Sequence, residues 1–225
     1  MTAEASLKTE EPLVNCLAVA FNTINHVLIG YVTIYLSYVS YMNGFGKLFT
    51  WHMFLCTIGY QFFMAESFLT LYSANSWTVL YGNEVKRRWH WVLQAFGFVA
   101  IFVGVGLEIY IKEDNGRAHF KSDHAITGLV SMVFLVLSMM NGLAALYAMK
   151  IKHLIKPIYI KLSHYLTGIV AFVIGMVSLM LEYSPRRMQS AENVNMLISF
   201  SSITIILTLI GVSKTMFNQF KGMMS

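Results

Sequence analysis

Charge is scarce in this chain. Asp, Glu, Lys and Arg make up 12% of its 225 residues, about half the share of a soluble domain, which excludes an ordinary solvated surface. Cysteine is nearly absent. Cys16 and Cys56 are the only two; both fall in or beside apolar sequence and read as buried free thiols, not as a disulfide framework. Proline occurs three times, so little interrupts helix, and no Asn-x-Ser/Thr glycosylation acceptor occurs. The opening MTAEASLKTEEP is polar and acidic. It lacks the basic start and short apolar core of a secretory signal, so no cleavage is expected. The formal charge of +5 is spread over connecting segments and implies no nucleic-acid partner.

Apolar sequence is what the chain has in abundance: 56% hydrophobic residues, with 15 Met and 16 Phe. A transmembrane helix needs ~20 mostly apolar residues. Six stretches qualify, at residues 17–42, 48–71, 89–111, 123–149, 158–181 and 194–212. They are too long and too continuous for the alternation of a barrel. The expectation is an all-α membrane protein of six transmembrane helices, a single domain over residues 1–225, with connections too short for a soluble domain. Six spans put both termini on one side. That side carries ten Lys and Arg, including Lys8, Lys150 and Lys152, against six on the other. The excess marks the cytoplasmic face, so both termini are expected there.

Two patterns recur at the starts of the central stretches. His124-Ala-Ile-Thr-Gly and His164-Tyr-Leu-Thr-Gly open the fourth and fifth, 40 residues apart. Trp51-His52 and Trp89-His90 open the second and third, 38 residues apart, each with Leu three residues after the histidine. Consecutive spans alternate direction. His52 is therefore level with His124, and His90 with His164. The separations, 72 and 74 residues, agree, as for one site built twice about a pseudo-twofold axis in the membrane plane. Glycines follow on the same helix faces: Gly128 and Gly168 four residues on, Gly59 and Gly97 seven residues on. They would leave a hollow beneath each imidazole for a flat macrocycle, or would serve close helix packing.

Histidine in a bilayer is costly and functional by default. Zinc wants four close ligands, whereas these histidines divide two and two across the membrane. Haem needs two axial nitrogens from facing helices. Two imidazoles close the iron's coordination sphere, which suits electron transfer over oxygen chemistry. The expectation is two haems, one near each face, held by stretches two to five.

The segments LFTWHMFL, RWHWVLQ, KEDNGRAHFKSDHAITGL and IKLSHYLTGI together resemble the cytochrome b561 family, and most of all its short animal members, the cytochrome b561 domain-containing proteins. The resemblance covers nearly the whole chain and is weakest at the first fifteen residues and the sixth stretch. It implies six helices, two b-type haems in a central four-helix bundle of stretches two to five, and a transmembrane reductase. Electrons would pass from cytosolic ascorbate to monodehydroascorbate or ferric iron on the other side, often in a homodimer. By motif, His90 and His164 would hold the cytoplasmic haem, and His52 and His124 the other. Two departures stand out. Met53 follows the first Trp-His where relatives often have Pro. In GNEVKRRWH, Glu84 intrudes among the basic residues, so the relatives' ascorbate site does not transfer residue by residue.

Ascorbate is an anion, so its site should be cationic. Arg88 and Lys161, two and three residues before ligands, are the substrate-site candidates on the cytoplasmic side. Lys86, Arg87 and Lys156 serve that role or simple topology. On the other side His119 and Phe120 are the candidates, His119 as a titrating group near the acceptor or as a loop histidine. His26 reads as a hydrogen-bonding or packing residue. Glu66 is the deepest carboxylate, either satisfied internally, bound to a haem propionate, or relaying a proton. Glu108, Glu182 and His153 carry no assigned role, and Asp123 is a candidate helix cap. Two further readings compete: a haem-bearing anchor subunit of a larger quinone-linked complex, and a non-enzymatic transporter or assembly protein whose histidines merely pack. Endoplasmic reticulum, vesicle or plasma membrane all suit a cytosolic donor and a luminal acceptor.

Overall fold

The structure, a computed structural model, describes residues 12–224. The acidic opening segment and Lys8 lie outside the described residues. The chain forms α1 (Pro12–Asn43), α2 (Leu48–Thr57), a π-helical segment (Ile58–Met64), α3 (Ala65–Thr70), α4 (Asn83–Asp114), α5 (Asp123–Leu146), α6 (Pro157–Leu181), α7 (Pro185–Met188) and α8 (Ala191–Met224). Every regular element among the described residues is helical. Five helices, α1, α4, α5, α6 and α8, are long and apolar enough to cross a membrane. Residues 48–70 are helical throughout, with the π segment in the middle. Large apolar side chains such as Val27, Ile34, Met140 and Ile206 stand more than half exposed. A soluble monomer does not expose apolar surface on this scale, and the protein is an integral membrane protein.

The helices overrun the apolar stretches where polar turns continue them. α4 begins at Asn83 instead of near Trp89, because Glu84 occupies its first turn and a carboxylate suits the N-terminal dipole. α8 runs past residue 212 to Met224. Two local expectations are corrected. The cap of α5 is Ser122, whose hydroxyl accepts from the Ala125 N–H at 3.2 Å, and Asp123 is the first helical residue. Cys56 is buried but Cys16 is exposed. Apolar surroundings in sequence do not fix which face of a lipid-facing helix a residue takes.

The chain divides into two compact units. One comprises the described residues up to Arg117 together with Tyr183–Thr215; the other comprises Ala118–Glu182 with the end of α8. In the first, Val32, Leu36 and Val39 of α1 pack with Met188 and Leu197, and the Tyr35 hydroxyl donates to the Met188 carbonyl at 3.0 Å. The Asn25 amide donates to Thr208 Oγ1 at 3.0 Å, tying α1 to α8. The π segment and α4 meet at Gly59 and Gly97, where each backbone oxygen lies 3.3–3.4 Å from the place of the other's missing Cβ. In the second unit α5 and α6 pair along their lengths, with Ser131 Oγ donating to the Ala171 carbonyl at 2.7 Å.

A Cβ on Gly59 would stand 2.4 Å from Ile101 Cγ1. Gly59→Ala is expected to destabilise by about 1–3 kcal/mol through overpacking. Ile101→Ala should cost less in the Gly59→Ala background than in the wild-type chain, because the two changes share one space. Thermal unfolding of the detergent-solubilised protein measures both.

Candidate functional site

Each of the four repeated histidines gives its Nδ1 to a backbone carbonyl on a neighbouring helix. His52 reaches the Gly104 carbonyl at 2.8 Å, and His90 the Ser67 carbonyl at 3.0 Å. His124 reaches the Ser178 carbonyl at 2.8 Å, and His164 the Ser138 carbonyl at 3.0 Å. A carbonyl only accepts, so each Nδ1 carries the hydrogen. Each neutral ring then has its lone pair on Nε2. This is how a metal-ligating imidazole is held: one nitrogen donates to a fixed oxygen, which sets the tautomer and ring angle and raises the basicity of the other.

Serine hydroxyls reinforce three of the four contacts. Ser67 Oγ lies 3.0 Å from His90 Nδ1 and donates to the His90 carbonyl at 2.9 Å. Ser178 Oγ does the same for His124, at 3.1 Å and 2.9 Å. Ser138 Oγ lies 3.4 Å from His164 Nδ1. At His52 the corresponding neighbour is Cys56 Sγ, 3.7 Å from Nδ1.

The spacing explains how the contacts arise. Ser138 follows His124 by 14 residues, Ser178 follows His164 by 14, and Gly104 follows His90 by 14. Fourteen residues are nearly four helical turns, about 21 Å along the axis and back on the same face. Two antiparallel helices built this way exchange contacts at both ends. In one unit His124 of α5 meets Ser178 of α6, and His164 of α6 meets Ser138 of α5. In the other, His52 and Ser67 face Gly104 and His90. Ser67 follows His52 by 15 residues. The extra residue coincides with the π segment between them, since a π turn accommodates one residue more than an α turn. The threonines of the repeat are also equivalent. Thr127 Oγ1 donates to the Asp123 carbonyl at 2.7 Å, and Thr167 Oγ1 to the Ser163 carbonyl at 2.8 Å.

Small residues let the carbonyls reach the rings. A Cβ on Gly104 would stand 2.9 Å from Cys56 Sγ, and one on Gly142 would stand 3.0 Å from His164 Cε1. The hollows expected beneath the rings at Gly59, Gly97 and Gly128 are corrected. Gly59 and Gly97 pack α4 against the π segment, and the Cβ place of Gly128 lies 3.2 Å from Ser178 Oγ. Those glycines serve close helix approach. Gly168 is buried. Ser67, Ser138, Ser178, Gly104 and Gly142 escaped the sequence reading. Their signal was available as a small residue 14 or 15 positions after each histidine, except for Gly142.

The substrate-side candidates take separate places. Arg88 pairs with Glu84 one turn earlier on α4, both side chains exposed, so the intruding carboxylate engages the guanidinium directly. Lys161 is half-buried on α6, three residues before His164. The rings of His119 and Phe120 lie 5.8 Å apart, and Phe120 holds a φ of 52°, the left-handed region that bulky residues rarely adopt. His26 and Glu66 are joined at 2.7 Å.

The donor set fits haem. It offers imidazoles, each oriented through Nδ1 by a neighbouring helix, and imidazole is an axial ligand of haem iron. Among the described residues no three His, Cys, Asp or Glu side chains converge to hold a bare metal ion.

Comparison with known proteins gives the same direction. The family described as eukaryotic cytochrome b561 matches residues 51–189, more than half of the chain and all four histidines. The chain is 29% identical over 176 residues to Transmembrane reductase CYB561D2 of Mus musculus and of Homo sapiens, covering 78% of each chain. It is 28% identical over the same length to that of Bos taurus, again with 78% of each covered. With its histidines, their spacing and the extent of the match, this chain belongs to the eukaryotic cytochrome b561 family.

Proposed function

We propose that this cytochrome holds two b-type haems in a six-span domain over residues 1–225 and moves electrons across a bilayer. The donor is cytosolic ascorbate, and the acceptor is monodehydroascorbate or ferric iron on the other side. The observation that carries this reading is the set of four imidazoles with Nδ1 fixed on a carbonyl. His90 and His164 would hold the cytoplasmic haem, and His52 and His124 the other. When bound, the haems supply one-electron chemistry.

The rest is the work of the chain. The carbonyls of Gly104, Ser67, Ser178 and Ser138 orient the rings and keep Nε2 basic. Arg88 and Lys161 supply positive charge for the anionic donor at the cytoplasmic face, tempered at Arg88 by Glu84. His119 and Phe120 stand at the acceptor side. Both termini face the cytosol, in the endoplasmic reticulum, a vesicle or the plasma membrane, and the chain works as a homodimer. The relatives' printed name, transmembrane reductase, supports a redox role in a membrane.

Purified protein should contain two b haems, seen in the reduced-minus-oxidised absorption spectrum. His90→Ala and His124→Ala should each lose one, and not the same one. A well-folded, colourless preparation would overturn the reading.

The serines give a finer test. Without its hydroxyl, Ser67→Ala weakens the hold on His90 Nδ1 and lowers the basicity of that ring, which disfavours the ferric state. The midpoint potential of one haem should rise in Ser67→Ala, and that of the other in Ser178→Ala. Redox titration of both variants reads this directly. Shifts of the same haem in both would contradict the pairing.

A further inference from the structure

Between Lys47 and Asn83, Glu66 is the only Asp, Glu, Lys or Arg, and α1 contains none. An ionisable side chain within a membrane-spanning segment is functional by default. Glu66 sits at a point where every hydrogen bond can be followed. Its Oε1 lies 2.7 Å from His26 Nδ1, and its Oε2 accepts from the Trp77 indole N–H at 3.2 Å. On the other edge of the imidazole, His26 Nε2 lies 3.0 Å from Asn75 Oδ1.

Asn75 cannot be turned round. Its Nδ2 donates to the Leu69 carbonyl at 2.7 Å, and its Oδ1 receives the Trp77 backbone N–H at 3.4 Å. Oδ1 is therefore an acceptor, and His26 Nε2 must donate to it. That leaves Nδ1 facing a carboxylate oxygen. With a neutral ring and an ionised Glu66, two lone pairs would oppose each other at 2.7 Å. The geometry is relieved by one added proton, either on Nδ1 or on Oε1. The pair as it stands is the proton-loaded form, with no net charge. Unloaded, it carries one negative charge.

The site is reachable and close to a haem-ligand candidate. His26, Glu66, Ser76, Trp77, Trp89, Leu93 and Phe62 line a cavity of about 490 Å³. No Lys, Arg or Asp lines it. Asn22, whose Oδ1 holds the backbone N–H of the lining residue Ser76 at 2.8 Å, has its Nδ2 buried without a hydrogen-bond partner, which calls for internal water. Two links run from the pair to His90. Glu66 is followed by Ser67, which holds His90 Nδ1. Trp77, bound to Glu66, packs edge-on against Trp89 with ring centroids 5.9 Å apart.

Apart from His26 and Glu66, no titratable group of these elements lines the cavity. On α4, Glu84 pairs with Arg88, Arg87 is exposed, and Lys86 is buried. On α8 the nearest cation in sequence to Thr215, which bonds the Leu71 carbonyl, is Lys214. Tyr60 and Tyr72 are buried phenols, Tyr72 against Gly211. None of these lines the cavity.

We propose that His26 and Glu66 form a proton-binding site that loads one proton when an electron enters the haem held by His90. The inference rests on the electron-transfer reading above. In the balanced step, an ene-diol donor would give up one electron, which the haem that His90 and His164 would hold would take up as a ferric-to-ferrous change. One proton, from the donor or from water in the cavity, joins the His26 Nδ1–Glu66 Oε1 pair, which passes from one negative charge to none. The electron's charge is thereby compensated within the low-dielectric bundle, where an uncompensated charge is most costly. When the electron leaves, the proton returns to water.

The test is a redox titration of the purified, haem-loaded protein across pH 5.5 to 8.5, on the order of the imidazole range. A reduced state that binds the proton more tightly loses that advantage as pH rises. The potential of the haem that disappears in His90→Ala should therefore fall with pH in the wild-type protein. In Glu66→Gln, which keeps an acceptor for Trp77, that dependence should flatten while both haems remain. His26→Gln should do the same and serves if Glu66→Gln does not fold. The reduced-minus-oxidised infrared spectrum should show a carboxyl or imidazole band in the wild-type protein that is missing from haem-loaded Glu66→Gln or His26→Gln. An unchanged pH dependence in a haem-loaded variant, or an infrared difference spectrum that the variants leave unchanged, overturns this proposal alone. A wild-type protein without haem overturns the electron-transfer reading as well.

Discussion

The imidazole N–H given to a carbonyl of a neighbouring helix is the contact on which the rest of this structure depends. A helix carbonyl is already engaged in its own ladder, and a ring can share it only where the helices come very close. That requirement sets the small residues at the contacts. Gly104 brings its carbonyl to His52 while its missing side chain leaves room for Cys56. Gly142 clears the space beside the ring of His164. Serine at the other contacts adds a hydroxyl that bonds the histidine's own carbonyl. The same step, a histidine followed about four turns later by a small residue, then joins each pair of antiparallel helices at both ends. One local rule, used four times, gives both the packing and the orientation of the rings.

Much of this was legible before any coordinates. The positions of the long helices, though not their ends, followed from the apolar runs, because a bilayer leaves the backbone few alternatives. The histidines stood out because polar rings inside apolar sequence are rare, and they recurred with a fixed motif. The partners of those histidines were not read, because serine and glycine are ordinary residues in membrane helices. Only their offset from the histidines marks them. The glycines nearest the histidines in sequence misled for the same reason. Gly59 and Gly97 lie on plausible faces, yet they meet each other. A one-dimensional spacing fixes a face but does not say what that face meets.

The polar residues of α1, α3 and the turn after α3 show the opposite limit. Nothing in the spacing of His26, Glu66, Asn75 and Trp77 brings them together, since they are separated by up to 51 positions. The turn after α3 does so. It carries Asn75 and Trp77 back over the end of the helix, and the backbone N–H of Ser76 is fixed to Asn22 of α1 at 2.8 Å. Buried polar groups that satisfy one another in this way specify a single arrangement, because any shift leaves one of them unpaired.

The π segment has a consequence for how relatives are compared. One residue inserted into a straight α-helix rotates everything beyond it by about 100° and would turn Ser67 away from His90. Here the wide turn at Ile58–Met64 absorbs the insertion, and the residues beyond it keep their phase. A relative with a straight helix at this place would be one residue shorter and keep the same contact between its counterparts of Ser67 and His90. An alignment of the two should open a single gap within residues 58–64. That gap would record a change in the length of the path between two conserved faces, and no change in what the faces hold.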